Sequence, residues 1–295
     1  MFHDFISLVT FHSSLLAFHF SLGACNLIHI FMMSFPNIDP VIFSIGPLQV
    51  RWYGLMYVLG FGASLLLVKH QIKKTGFKEL DIHFENLNLV LIISLVLGGR
   101  LGYVLFYNLP YYLGHPAEIL ATWQGGMSFH GGMLGLILGA VIFCRKKGLD
   151  FWRVADFYTV TIPIGLGLGR IGNFINGELY GRVTNVPWGM IFPGGGPQPR
   201  HPSQLYESFL EGLVLFLLLW FLKEKQRPPS SWPSGSMVAL FLILYGGFRV
   251  AVELFREPDA HLGFIAAGMT MGQLLSGLMI VAGIALFLVR KKQTA

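Results

Sequence analysis

Between Gly268 and Val289 the chain carries no charged side chain. A helix of about 20 residues crosses a bilayer's hydrocarbon core of about 30 Å, so this run is long enough to span a membrane. Six further charge-poor segments precede it, at about 52–68, 86–107, 126–144, 154–172, 206–222 and 235–255. Lipid offers no partner to a backbone amide, and helices satisfy theirs internally. Only 12% of the residues are charged, about half the fraction usual in soluble domains. A soluble globular enzyme is excluded. The expectation is an all-α polytopic membrane protein with seven transmembrane helices in one bundle. Glycines recur every fourth residue at Gly131, Gly135 and Gly139, and again at Gly165 and Gly169, a spacing that lets helix backbones approach closely.

The lysines set the orientation. All ten fall within 69–78, 146–147, 223–225 and 291–292, after the first, third, fifth and seventh spans. These four places share one side, which the positive-inside rule makes the cytoplasm. The bundle's N-terminus is then outside and its C-terminus inside. The net charge of +6 resides in these topology signals, so no nucleic-acid partner is expected. The basic residues that topology leaves over are all arginine: Arg51, Arg100, Arg170, Arg182, Arg200, Arg249 and Arg256. All lie within spans or on the outer side.

Two segments stand apart. The outer connection 173–205 is rich in Gly, Pro and aromatic residues, and its VPWGMIF run suggests a brief strand in a small outer head segment. Residues 1–33 are apolar but hold four histidines. Leu22-Gly23-Ala24-Cys25 resembles a lipoprotein cleavage box, yet no basic n-region precedes it. We read 1–33 as an extension outside the fold, with Met32 or Met33 beginning the working protein, and 34–295 as the transmembrane domain.

Polar residues concentrate at the outer ends of spans. The string Gly169-Arg170-Ile171-Gly172-Asn173-Phe174-Ile175-Asn176-Gly177-Glu178-Leu179-Tyr180-Gly181 combines glycines, which let backbone approach a ligand, with an arginine whose planar fork matches phosphate oxygens. Asn173 and Asn176 can donate and accept hydrogen bonds beside it. The competing reading is a helix end with a snorkelling arginine. Arg249, Glu253 and Arg256 share one helical face. Each charge costs at least ~2.5–3.5 kcal/mol to insert at a span's centre, so the three imply a polar interior, with Glu253 able to bridge the arginines. A structural salt-bridge ladder competes, most strongly for Glu253 and Arg256.

His130 lies in Gly125-Gly126-Met127-Ser128-Phe129-His130-Gly131-Gly132. Histidine is the usual general base, although a lone histidine is more often structural. Tyr53 reads as a ligand contact or, on its own, as an interfacial anchor. His201 opens the polar cluster HPSQLYE, and Arg100 either supports the same cavity or pairs with an acid. There is no acidic cluster, His/Cys ligand spacing or phosphate-binding Gly-Lys-Ser/Thr loop. Cys25 and Cys144 form no ligand spacing either. No metal or cofactor is expected. A cavity of arginines, amides and glycines suits an anion attached to something hydrophobic, such as a phospholipid headgroup.

The string GRIGNFINGELYG closely resembles the signature of the prolipoprotein diacylglyceryl transferases. WYGLMY, GGRLGYVLFYN, GGMSFHGG, RHPSQLYE and GGFRVAVELFR are similar to the family's other blocks, in the family's order. The resemblance runs from about Ser34 to the C-terminus. It implies seven transmembrane helices with the N-terminus outside, in a bacterial cytoplasmic membrane. It also implies a reaction, transfer of the diacylglyceryl group of phosphatidylglycerol to the lipobox cysteine of a prolipoprotein, with release of glycerol phosphate. By the same resemblance Arg170 falls on the phospholipid-binding arginine, and Tyr53, His130, Asn173 and Arg249 on positions used for activity. Asn176, Glu178, Glu253, Arg256, Arg100 and His201 are expected to support them. The alternative is a transporter or channel for an anionic lipid or solute. It is disfavoured because the polar residues gather at one end of the spans and no two broken-helix halves are apparent.

Overall fold

A computed structural model describes residues 33–46, 48–122, 125–226, 232–257 and 268–294; the extension read over 1–33 lies, but for Met33, outside them. In chain order these residues form β1 (Met33–Ser34), β2 (Val41–Ile45), β3 (Leu48–Arg51), α1 (Trp52–Thr75), α2 (Lys78–Tyr107), α3 (Leu109–Gly114), α4 (Phe129–Lys147), α5 (Phe151–Thr159), α6 (Ile162–Ile175) and β4 (Met190–Ile191). Then come α7 (Ser203–Gln226), α8 (Ser236–Glu253) and α9 (Met271–Thr294). Six helices, α1, α2, α4, α7, α8 and α9, are long and apolar enough to cross a membrane. Large apolar side chains such as Leu66, Phe106, Leu138 and Val281 are exposed on them, as lipid-facing surfaces require. The chain is a multi-pass, mostly helical membrane protein.

The fourth expected span, 154–172, is two helices rather than one. The break falls at Val160–Thr161, just before Pro163, which lacks an amide hydrogen and so suits the first turn of a new helix. The Thr161 hydroxyl and amide both donate to the Tyr158 carbonyl, at 2.7 and 2.9 Å, closing the end of α5. Helix α7 is also irregular. It runs as α-helix over Ser203–Glu207, as π-helix over Ser208–Val214, as α-helix over Leu215–Leu222 and as a 3₁₀ tail over Lys223–Gln226. Such wide turns concentrate at functional sites.

The chain divides into two compact units. One comprises residues up to Gly60, Gly165–Val214 and Tyr245–Leu278; the other comprises Phe61–Ile164, Leu215–Leu244 and Met279 onward. The core of the second unit gathers Val68 and Ile72 of α1, Leu80, Phe84 and Leu87 of α2, Phe143 and Cys144 of α4, and Val154 and Phe157 of α5. The α2 positions recur every third or fourth residue, so they share one face. In the same unit α2 and α4 meet backbone to backbone. A methyl group added at Gly98 would lie 2.5 Å from the Gly131 carbonyl, and one at Gly102 would lie 2.7 Å from the Gly131 Cα. Here the glycine spacing read from the sequence does what it implies. In the first unit a methyl group added at Gly60 would lie 3.0 Å from the Gly165 Cα and one at Gly167 would lie 3.0 Å from the Gly212 Cα, whereas one at Gly169 would meet nothing within 4 Å.

The connection 173–205 is held by contacts within itself and to Met33–Phe35 and Glu257. The short strand expected in VPWGMIF is β4, which pairs in parallel with β1, Met33 opposite Met190. Phe35 packs between Phe174 and Phe192, with ring centroids 5.3 and 5.1 Å away. Arg200 donates to the carbonyls of Gly195 (2.8 Å) and Gly181 (3.2 Å) and pairs with Glu257 at 2.9 Å.

Candidate functional site

The first unit holds a buried charge cluster built from three helices. α6 presents Arg170 and Asn173, α7 presents Glu207 and Glu211, and α8 presents Arg249 and Glu253. One carboxylate oxygen, Glu207 Oε2, is 2.6 Å from Arg170 Nε and 2.8 Å from Arg249 Nη1. Arg249 also lies 3.7 Å from Glu211 Oε1 and 3.2 Å from Glu253 Oε2, and Arg256 Nη1 is 4.0 Å from that same Glu253 oxygen. Glu207 is 0% exposed, Glu211 1% and Arg249 8%. A charge this deep is tolerated only when paired, and each arginine here faces a carboxylate.

Local structure explains how these side chains are delivered. Glu207 closes the α-turn and Glu211 sits within the π-turn of α7, four residues apart and on one side of the helix. That turn also lies close against α6, where the Ser208 hydroxyl donates to the Gly167 carbonyl at 3.0 Å. Arg249 and Glu253 are one turn apart on α8. Glu253 is held from the far side, accepting from the Thr270 hydroxyl at 3.0 Å, and Gly272 lies against its carboxyl group.

The GRIGNFINGELYG string forms the rim. Arg170 reaches Asn173 Oδ1 at 3.4 Å, and Asn173 and Asn176 donate to Glu178 Oε1 at 2.8 and 3.1 Å. The next residue, Leu179, has a φ of 58°, a left-handed conformation that a branched side chain disfavours. Its carbonyl accepts from the Ser203 hydroxyl at 3.1 Å, and that of Glu178 accepts from Gln204 Nε2 at 2.6 Å. These bonds from the start of α7 hold the strained turn. On α1, Tyr53 packs against Gly172, and its hydroxyl is 3.1 Å from that of Tyr57.

Three further expected site residues are each held by local contacts. His201, in the first unit, shares a hydrogen bond of 3.1 Å with the Tyr206 hydroxyl and packs edge-on to Phe255; burial lowers its pKa, favouring the neutral ring. His130 and Arg100 belong to the second unit. His130 is exposed on the first turn of α4, beside Phe129, where Ser128 caps the helix by accepting from the Gly131 amide at 3.2 Å. Arg100 is 2% exposed, and its bonds go to the carbonyls of Glu118, Ile119, Gly125 and Gly126 at 2.6–3.2 Å rather than to an acid. It ties down the connection between α3 and α4. Sequence reasoning missed Glu207 and Glu211 as partners of the arginines; their occurrence as acids at the start of and inside an apolar run was the available signal.

The cluster presents guanidinium groups, amides and a strained glycine-flanked turn, the equipment for holding an anion. A family model described as prolipoprotein diacylglyceryl transferase matches residues 40–289. Relatives named phosphatidylglycerol–prolipoprotein diacylglyceryl transferase occur in Desulfotalea psychrophila, 62% identical over 88% of this chain and 95% of theirs, and in Geobacter sulfurreducens, 54% identical over 86% and 96%. A third, from Bordetella avium, is 52% identical over 90% and 99%. By model and by relatives alike, the chain belongs to the prolipoprotein diacylglyceryl transferase family.

Proposed function

We infer that this transferase moves the diacylglyceryl group of phosphatidylglycerol onto the thiol of a prolipoprotein's lipobox cysteine. The observation that carries the reading is the Arg170–Glu207–Arg249 cluster beside the GRIGNFINGELYG rim, in a chain whose relatives bear that enzyme's name. The transporter alternative has no such support. In the reaction the cysteine sulfur attacks the glyceryl carbon. A C–S bond forms, the C–O bond to phosphate breaks, and glycerol phosphate departs with the bonding electrons. Arg170 and Arg249, with Asn173, hold the phosphate as its charge grows, the electrostatic contribution that is usually largest in catalysis. A free thiol with a pKa near 8.5 is only a few per cent ionised at pH 7, so His130 takes its proton. Tyr53 lines the site. Asn176, Glu178, Glu253, Arg256, Arg100 and His201 hold the surrounding geometry.

The same reading makes α5 and α6 together the fourth of seven crossings in the 34–295 domain, with 173–205 as a small outer head. The bundle's N-terminus faces outward and its lysine-bearing ends face the cytoplasm, in a bacterial cytoplasmic membrane. The test is direct: purified protein, phosphatidylglycerol vesicles and a synthetic lipobox peptide. The peptide should gain the mass of one diacylglyceryl group, and a peptide with Ser in place of the cysteine should not. An unchanged cysteine peptide with folded protein in those vesicles would overturn the assignment.

A further inference from the structure

A polar cavity lies within the second unit, among the ends of α1, α5 and α7 and the turn before α8. It has a volume of about 410 Å³ and is lined by Lys74 and Thr75 from the last turns of α1, Arg153 and Asp156 from α5, Lys223 and Gln226 from the 3₁₀ tail of α7, and Trp232 and Ser234 before α8. Three cations therefore converge on it from three separate elements. Arg153 has no ion pair or hydrogen bond among the described residues; its guanidinium lies over the Phe77 ring at 3.9 Å. Lys74 pairs with Glu224 at 3.2 Å, and both are substantially exposed, so an anion can compete for the ammonium group. Lys223 is 8% exposed, donates to the Trp220 carbonyl at 2.8 Å and lies over that ring.

The one carboxylate in the lining is already committed. Asp156 accepts from the amides of Gly235 (2.6 Å), Met237 (3.0 Å) and Val238 (3.1 Å) and from Gln226 Nε2 at 2.5 Å. It caps the N-terminus of α8, where the helix dipole offsets its charge. The cavity thus keeps a surplus of positive charge at the ends of membrane-crossing helices, the depth at which phosphate groups of lipids lie. Basic pockets between helix ends recognise such groups.

We propose that this cavity is a binding site for a phosphate-bearing anion, separate from the transfer site, with Lys74 and Arg153 as its principal contacts. The anion's source is either a phospholipid headgroup or free phosphate, and two measurements on the full-length protein separate them. Inorganic phosphate is titrated calorimetrically into protein in neutral detergent. The anionic lipids retained from phosphatidylcholine vesicles containing phosphatidylglycerol are counted by native mass spectrometry. Both are repeated with the Lys74→Gln/Arg153→Gln variant and with Ser234→Glu, which puts a negative charge in the cavity; all should keep normal transfer activity.

If free phosphate is the ligand, saturable binding in the wild type weakens at least tenfold in both variants. If a headgroup is the ligand, phosphate does not bind and both variants retain one anionic lipid fewer than wild type. Either result supports the site. Equal lipid counts, together with no variant-sensitive phosphate binding, would overturn it.

Discussion

Arg170 and Glu207 are joined by a contact of 2.6 Å between Nε and Oε2, across 37 positions of sequence and between two helices. Because the same oxygen also meets Arg249 at 2.8 Å, Glu207 fixes the spacing of both guanidinium groups. Removing one partner of a buried ion pair costs about 3–5 kcal/mol because the other charge is stranded. Glu207→Gln should therefore lower the thermal midpoint in detergent and reduce transfer at least tenfold. Wild-type activity in a well-folded Glu207→Gln protein would show that the arginines need no shared acid.

Arg170→Lys tests the fork rather than the charge. Lysine keeps the charge but cannot offer two parallel N–H groups. The variant should insert normally and lose most of its transfer activity, measured by the mass of a lipobox peptide. Near-normal turnover would remove Arg170 from the phosphate clamp.

The glycine seam gives a stability contrast. At Gly102 an added methyl group meets the Gly131 Cα at 2.7 Å, whereas at Gly277 of α9 it meets nothing within 4 Å. Gly102→Ala should destabilise by about 1–3 kcal/mol, the range for overpacking. Gly277→Ala should be neutral or stabilising by up to about 1 kcal/mol, from helix propensity. Thermal unfolding of both variants in one detergent decides it.

His130 and the arginines should differ in pH response. If His130 takes the thiol proton, His130→Ala is partly rescued at high pH, because more substrate is already thiolate. From pH 7 to pH 9 the thiolate fraction rises from a few per cent to roughly three-quarters for a thiol of pKa near 8.5, so a gain of about tenfold or more is expected. Arginine does not titrate in this range, so Arg170→Ala and Arg249→Ala should show no comparable gain. A flat response in His130→Ala would assign the ring to binding or packing.

The N-terminal boundary is testable to within a few residues. A chain beginning at Met33 keeps the β1–β4 pairing and the Phe35 packing, so it should insert and transfer lipid normally. Replacing Phe35 with Ala in that chain removes the ring between Phe174 and Phe192 and should reduce activity. Inactivity of the Met33 chain itself would make 1–32 part of the working protein.

These residues also show what the sequence could reveal. Spans were legible because lipid tolerates few charges, and the Arg249–Glu253 pair because one helical turn fixes its geometry. The break in the expected fourth span was not, since Pro163 is compatible with either a continuous helix or a new first turn. Glu207 and Glu211 were visible as acids, but helical periodicity says nothing of which distant helix a side chain will meet. Arg100 was ambiguous for the same reason, its hydrogen bonds going to loop carbonyls and its guanidinium lying over the Tyr112 ring. The positions of His130 and Arg100 in the second unit lay beyond any motif.

The glycine seam and the charge cluster also differ in when they can exist. The seam joins α2 to α4 through residues between Ser94 and Gly139, so a nascent chain can close it before its second half has been synthesised. The cluster needs Arg170, Glu207, Arg249, Glu253 and Thr270 together. During biogenesis Arg170 enters the membrane long before Arg249, and the acids of α7 precede their second cation. Until α8 arrives the acids of α7 lack Arg249 as a partner. The cluster is complete only when α8 and Thr270, just before α9, are in place.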